Sequence, residues 1–178
     1  MFEDKNAARA RLLKVRAGIE NRHELSESIA RRAAELAEGN VMLYIAMGTE
    51  AETYPLAMRL ADKPGVTLFA PYTSGGIITP RKISCFGKPN RMGNMPEECY
   101  AVSGEKSTKI DCCITPLVGF NKELFRIGYG MGCYDRYFAE QKCKKIGLAF
   151  SVQYANFLPD AHDVSLDCCV TEKDVLYS

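Results

Sequence analysis

The chain has 178 residues, with 23 Lys and Arg against 22 Asp and Glu, 47% hydrophobic residues and 25% charged ones. That composition excludes a disordered chain and a disulfide mini-scaffold as the main architecture, and it predicts a single globular domain over 1–178. A formal net charge of +1 offers no global attraction to nucleic acid or to an anionic membrane, so any anion must be held by a local site.

The first element in chain order is a helix over residues 4–22, where Ala8, Leu12, Val15 and Ile19 recur at helical steps. Lys5 and Arg9 stand four apart on it, with Arg16 seven further along, so the three cations share a face. A second stripe, Leu25, Ile29, Ala33 and Leu36, ends at Gly39-Asn40, a helix stop signal. The apolar run 41–47 then reads as a strand buried on both faces. Gly48-Thr-Glu50-Ala-Glu52-Thr53 follows it, in the kind of loop where open α/β sheets bind ligands; its plainer reading makes Thr53 a helix cap and the glutamates solvated. A helix over 54–63 and a strand over 66–70 come next. From 73 to 109 Gly and Pro recur, and only 83–86 reads as a strand.

Beyond it, strands are expected at 110–115 and 146–150 and a helix at 132–142. Alternation of strand and helix predicts an α/β, three-layer sandwich with a mostly parallel sheet. Before the last of those helices runs Arg126-Ile-Gly128-Tyr-Gly130-Met-Gly132-Cys-Tyr-Asp135-Arg136. Glycines at alternate positions let backbone N–H groups converge at a helix start, which suits a phosphate chain. The spacing fits neither the Walker A loop nor the dinucleotide fingerprint. Here Arg126, in a largely surface-facing loop, could grip phosphate and Asp135 could hold Mg²⁺; alternatively Asp135 only complements the helix dipole. Finally, alternation from Val164 to Val170 predicts a strand carrying Asp163, Ser165 and Asp167 on its polar face, just after His162.

Eight cysteines stand at 85, 99, 112, 113, 133, 143, 168 and 169 with no C-x-x-C among them. Zinc and redox motifs lose support, and reduced structural thiols are expected. No serine or cysteine has an identifiable base partner, so covalent hydrolysis has no support either. The N-terminus is charged, with no apolar segment behind it, which leads to the expectation of a cytoplasmic protein.

Taken together, these segments resemble the 5-formyltetrahydrofolate cyclo-ligase family, also called methenyltetrahydrofolate synthetases. The likeness rests on Lys5-Asn-Ala-Ala-Arg9, Gly48 to Thr53, Asp111 to Pro116, Gly119-Phe120, Arg126 to Arg136, Ile146 to Phe150 with Gln153, and Pro159 to Asp163 with Leu166-Asp167. The resemblance implies an ATP-dependent enzyme that phosphorylates the formyl oxygen of 5-formyltetrahydrofolate and closes the ring to 5,10-methenyltetrahydrofolate. It maps nucleotide binding onto Lys5, Arg9, Arg126, Gly128, Tyr129, Gly130, Met131, Gly132, Cys133 and Tyr134. Magnesium maps onto Asp135 and Asp167. The reduced folate maps onto Ile45 and Glu50 and onto Tyr129 to Cys133, with Arg126 and Glu50 in catalytic roles. Partners would be the two small-molecule substrates, the chain acting as a monomer or weak homodimer. A protein that binds nucleotide or folate on the same fold without catalysis is the alternative.

Overall fold

The computed structural model of the protein describes residues 2–83 and 109–178. Helix α1 (Lys5–Ala17) starts at Asp4, whose carboxylate accepts from the backbone N–H of Asn6 at 2.9 Å and of Ala7 at 3.0 Å. A helix start leaves such donors without an intrahelical partner, so this cap fixes where α1 begins. The helix buries Ala8, Leu12 and Arg16. The expected stripe through Val15 is therefore wrong: Val15 is 39% exposed, and Ile19 lies beyond the cap at Gly18. The third buried position carries a charge, which apolar periodicity does not register.

The chain continues through α2 (Arg22–Leu36), β1 (Asn40–Leu43), α3 (Tyr54–Ala61), β2 (Thr67–Ser74) and β3 (Ile77–Lys82). After residue 108 come β4 (Cys112–Thr115), the short β5 (Gly119–Phe120) and β6 (Arg126–Ile127), α4 (Cys133–Glu140) and β7 (Lys144–Leu148). A 3₁₀ turn at Ser151–Gln153, β8 (Cys168–Val170) and β9 (Val175–Tyr177) complete it. No described helix is long and apolar enough to cross a membrane.

Seven strands form one sheet in the order β3-β2-β1-β4-β7-β8-β9, and β5 pairs with β6 separately. The central strands from β2 to β8 are mutually parallel, while β3 and β9 add antiparallel edges. Alternate residues feed opposite layers. Val41, Leu43, Leu68, Ala70, Ile114 and Ile146 pack under α2 and α3, whereas Met42, Phe69 and Cys113 face Tyr137 and Phe138 of α4. Each Cys-Cys pair straddles the sheet in the same way, with Cys112 and Cys168 on the α2/α3 side and Cys113 and Cys169 on the other. Helix α1 stands apart from both layers, its Ala8 and Leu12 packing on Val118, Ile127, Ala155 and Phe157. The expected α/β sandwich with a mostly parallel sheet is the observed one.

Two local expectations need correction. The β2–β3 hairpin was expected only in part: β2 begins in the expected strand over 66–70 and runs on to Ser74, while β3 lies in a stretch expected to hold a strand only at 83–86, a run that beyond Ile83 falls outside the described residues. Its outer strand contains Pro80, which a sheet tolerates at an edge and which masks the signal. The expected strand over 164–170 is limited to Cys168–Val170. Val164 gives its carbonyl to the Arg126 guanidinium at 3.0 Å and its N–H to Asp135 at 3.2 Å, so side chains take the groups a ladder would use.

In this sheet β1 continues to β2 on one side, while β4 pairs on the other side of β1. Such a reversal leaves the loops beyond the carboxyl ends of β1 and β4 splayed apart, and open parallel sheets place their ligand crevices there.

Candidate active site

A cavity of ≈ 940 Å³ occupies that crevice, within the roughly 300–1,000 Å³ typical of small-molecule sites. Tyr44, Ile45, Met47 and Glu50 line it from the segment after β1, Pro116 from the end of β4, and Pro71 and Thr73 from β2. Lys5 and Arg9 of α1, Arg126 of β6 and every residue from Gly128 to Asp135 line it as well. All the residues that the resemblance assigns to nucleotide, folate and metal therefore meet at one cavity except Asp167, which is not part of the lining. The Asp167 carboxylate instead accepts from the Lys145 backbone at 2.6 Å and pairs with the Lys145 ammonium at 3.0 Å.

The glycine segment is a cradle built from backbone. Gly130 and Gly132 adopt φ of 96° and 61°, and Gly132 is the N-cap of α4. Side chains with a Cβ are strained in that left-handed region, which explains glycine at both positions. Among the described residues, the N–H groups of Tyr129, Gly130, Met131 and Gly132 donate to no protein acceptor. They stand at a helix start, where the dipole favours an anion.

Arg126 is not surface-facing, contrary to the expectation. It is 6% exposed, it donates to the Val164 carbonyl, and its Nη2 stands 3.0 Å from Asp135 Oδ1. Its guanidinium also lies over the Phe138 ring, 5.3 Å from the centroid. Both contacts of Asp135 use Oδ1, while Oδ2 has no partner among the described residues. The chemistry of that remaining oxygen, a hard carboxylate donor at the cavity wall, fits a divalent cation such as Mg²⁺.

The two cations of α1 differ. Lys5 Nζ sits 2.7 Å from Asp160 Oδ2 and 2.6 Å from Asp163 Oδ2. Burial works against its charge, but the hydrogen bonds to these carboxylates more than offset it and raise the pKa. Arg9 makes no ion pair among the described residues; its Nε donates to the Gly128 carbonyl at 2.7 Å and its Nη1 to Asn6 Oδ1 at 2.6 Å. One guanidinium nitrogen thus remains for a ligand while the other two hold the arginine against the glycine segment.

On the opposite wall Glu50 is 4% exposed. The chain turns back on itself there, Glu50 N donating to the Met47 carbonyl at 3.2 Å while Met47 N donates to Glu50 Oε2 at 2.8 Å. The Tyr129 hydroxyl donates to Oε1 at 2.9 Å. Burial pushes the Glu50 carboxyl above its usual range, and the two hydrogen bonds and the Arg16 charge pull it partly back. Glu52 points away from the cavity and pairs with His23 at 2.7 Å. Thr53 occupies the N-cap of α3 as expected, but its hydroxyl makes no cap bond and donates instead to the Tyr44 carbonyl at 2.8 Å.

One protein-family profile, described as the 5-formyltetrahydrofolate cyclo-ligase family, matches residues 1–172. The chain belongs to that family. Curated relatives named 5-formyltetrahydrofolate cyclo-ligase include a Haemophilus influenzae protein, 28% identical over 89% of this chain and 92% of its own length. A Mycoplasma pneumoniae protein of that name is 46% identical, but the match spans only 41% of its length and 36% of this chain. The solved 5,10-methenyltetrahydrofolate synthetase of Aquifex aeolicus superposes with a TM-score of 0.77 at 30% identity, covering 97% of this chain and 92% of that one. That of Mycoplasma pneumoniae gives 0.75 at 25% identity, covering 96% and 99%.

In this cyclo-ligase family member the structure also gives parts to residues that the resemblance left without a role. Asp160 and Asp163, noticed only as acids near His162, hold Lys5. Arg136 donates to the Met131 carbonyl at 2.8 Å and to the Gly76 carbonyl at 3.1 Å, tying the glycine segment to the β2–β3 turn. Its place one turn into α4, at the end of the motif already singled out, was the available signal.

Proposed function

We propose that the protein converts 5-formyltetrahydrofolate to 5,10-methenyltetrahydrofolate, with ATP consumed to ADP and phosphate. The observation that carries this reading is that the glycine cradle with its unpaired N–H groups and the buried Glu50 line one cavity. Two ligands bound there can be adjacent, as direct group transfer requires.

The substrate dictates the chemistry. A formyl group on N5 is an amide, a weak electrophile, and its oxygen is a poor leaving group. Transfer of the γ-phosphoryl group from ATP to the formyl oxygen releases ADP and turns that oxygen into a phosphate ester. N10 then attacks the formyl carbon, the C–O bond breaks with departure of phosphate, and N10 loses its proton to leave the methenyl bridge. No bond to the protein is needed, so positioning and charge neutralisation carry the catalysis.

The loop N–H groups and Arg9 would face the phosphates, with Arg126 behind them in its ion pair to Asp135. Lys5 would approach with its charge already shared by Asp160 and Asp163, which leaves more of the load on Arg9 and the amides. Asp135, through Oδ2, would hold Mg²⁺, which supplies neutralisation of phosphate charge when bound. Glu50, an acceptor on the far wall, would meet the N–H groups of the pterin, and Ile45 and the exposed Met47 and Met131 would cover its apolar faces.

Incubating the purified protein with 5-formyltetrahydrofolate and Mg-ATP should produce methenyltetrahydrofolate absorbance together with stoichiometric ADP. Ligand binding without product would select a non-catalytic binding protein instead.

A further inference from the structure

The reaction above leaves Arg16 unused, although it is among the largest fully buried side chains in the protein. Its Nε donates to Thr49 Oγ1 at 3.0 Å, its Nη1 to the Leu117 carbonyl at 3.1 Å, and its Nη2 to the Tyr129 hydroxyl at 2.6 Å. All three acceptors are neutral, and among the described residues no carboxylate touches it. A buried charge without a counter-charge is costly. Glu50 supplies the counter-charge, one hydroxyl away.

Hydrogen-bond directions suit an ionised carboxylate at Glu50. A guanidinium only donates, so the Tyr129 oxygen accepts from Arg16 and its single proton goes to Glu50 Oε1. Met47 N, also only a donor, meets Oε2. Both Glu50 oxygens thus accept, as an ionised carboxylate does. The groups facing it are Arg16 from α1, Tyr129 from the glycine segment, Tyr44 after β1 and Tyr134 of α4; only Arg16 is charged.

We propose that Arg16 is a positioning residue for the folate half of the site, acting through the Tyr129 hydroxyl to hold Glu50 ionised and oriented on the cavity wall. The inference rests on the reading that Glu50 meets the folate. It also makes Tyr129 a strut from the glycine cradle to the opposite wall, so the same bond that orients Glu50 sets the distance between the two halves of the cavity.

The test needs no turnover. Carbon-13 carboxyl NMR of the protein labelled at glutamate reports the titration midpoint of Glu50, and fluorescence titration without ATP reports the Kd for 5-formyltetrahydrofolate. Both are measured in wild type, Tyr129→Phe, Arg16→Lys and the double variant. Tyr129→Phe, at a half-exposed position, should raise the Glu50 midpoint by about one pH unit and weaken binding roughly tenfold. Arg16→Lys should act in the same direction, and the double variant should go no further than the larger single effect, because both changes cut one chain. A midpoint unmoved in Tyr129→Phe, a Kd within about twofold of wild type, or single effects that simply add would each overturn the proposal. Should Arg16→Lys fail to fold, Tyr129→Phe alone decides it. Wild-type protein that binds the folate but forms no methenyl product would overturn the proposed function and leave this inference standing.

Discussion

Arg126 and Asp135 hold each other at 3.0 Å, and their other polar contacts close on the carbonyl and the N–H of a single residue, Val164. One guanidinium and one carboxylate thereby staple β6, the start of α4 and the approach to β8. The pair is part of the scaffold as well as of the cavity wall.

Arg126→Ala should for that reason reduce both turnover and stability. Loss of the buried guanidinium leaves the Val164 carbonyl and the Asp135 carboxylate without their donor, a cost of about 2 to 3 kcal/mol. Urea denaturation measures it. A variant with wild-type stability and no turnover would show that the staple is dispensable and the role purely chemical.

Asp135→Asn keeps the side-chain shape but removes the charge that faces both Arg126 and the cavity. We expect the Mg²⁺ concentration for half-maximal rate to rise. Rate titrations with Mg²⁺ in both proteins test this. An unchanged half-saturation point would confine Asp135 to pairing with Arg126 and to the dipole of α4, the latter a matter of roughly 0.3 to 1 kcal/mol.

Glu50→Gln should raise KM for 5-formyltetrahydrofolate or lower kcat, with KM for ATP near wild type, whereas Glu52→Gln loses only its exposed contact with His23 and should stay within about 0.5 kcal/mol of wild type. The two also differ in stability. Burial holds the Glu50 pKa above its ordinary value of 4.5. A carboxyl raised in this way contributes its full stability below the unfolded pKa and loses it as pH rises through the folded one. At neutral pH the buried charge is therefore a net cost that glutamine lacks. The melting temperature of Glu50→Gln relative to wild type should therefore rise between about pH 4 and about pH 7.5, on top of a constant loss because its amide faces the donors Met47 N and Tyr129 Oη. A difference independent of pH would mean that ionisation of Glu50 costs the folded protein nothing.

Gly147→Ala should destabilise without touching the site. A Cβ at this position of β7 would lie 2.5 Å from Leu166 Cδ1 and 2.8 Å from Leu117 Cδ2, both buried. Overpacking of this kind costs about 1 to 3 kcal/mol. The urea midpoint should fall while KM for both substrates holds; an unchanged midpoint would show that the two leucines can shift aside.

Where burial acts through apolar side chains on both faces, as in β1, β4 and β7, a short hydrophobic run is a direct trace of the sheet, and those strands were legible to within a few residues. The lining of the cavity was legible because much of it is local in sequence: the glycine segment carries its own backbone geometry, and Glu50 lies in the loop after β1. What stayed hidden depends on partners distant in the chain. Arg16 reads as one more solvated cation until Tyr129, 113 positions later, is placed beside it. Lys5 reads as a free phosphate ligand until Asp160 and Asp163 close on it, 155 and 158 positions away. Strand β3 was missed because an edge strand needs neither continuous apolar residues nor freedom from proline.

The two Cys-Cys pairs that straddle the sheet make its integrity a chemical as well as a mechanical condition. Burial pushes the Cys112 thiol up to about 12 and those of Cys113, Cys168 and Cys169 above their ordinary value, so the folded sheet presents almost no thiolate to oxidants or alkylating reagents. Opening of β4 or β8 exposes two adjacent thiols at once. Alkylation at those positions thus times the opening of the central strands, and in air a chain that opens before it refolds can be captured by disulfide exchange with its neighbours. Reductant, on this view, sets how many unfolding events the protein survives.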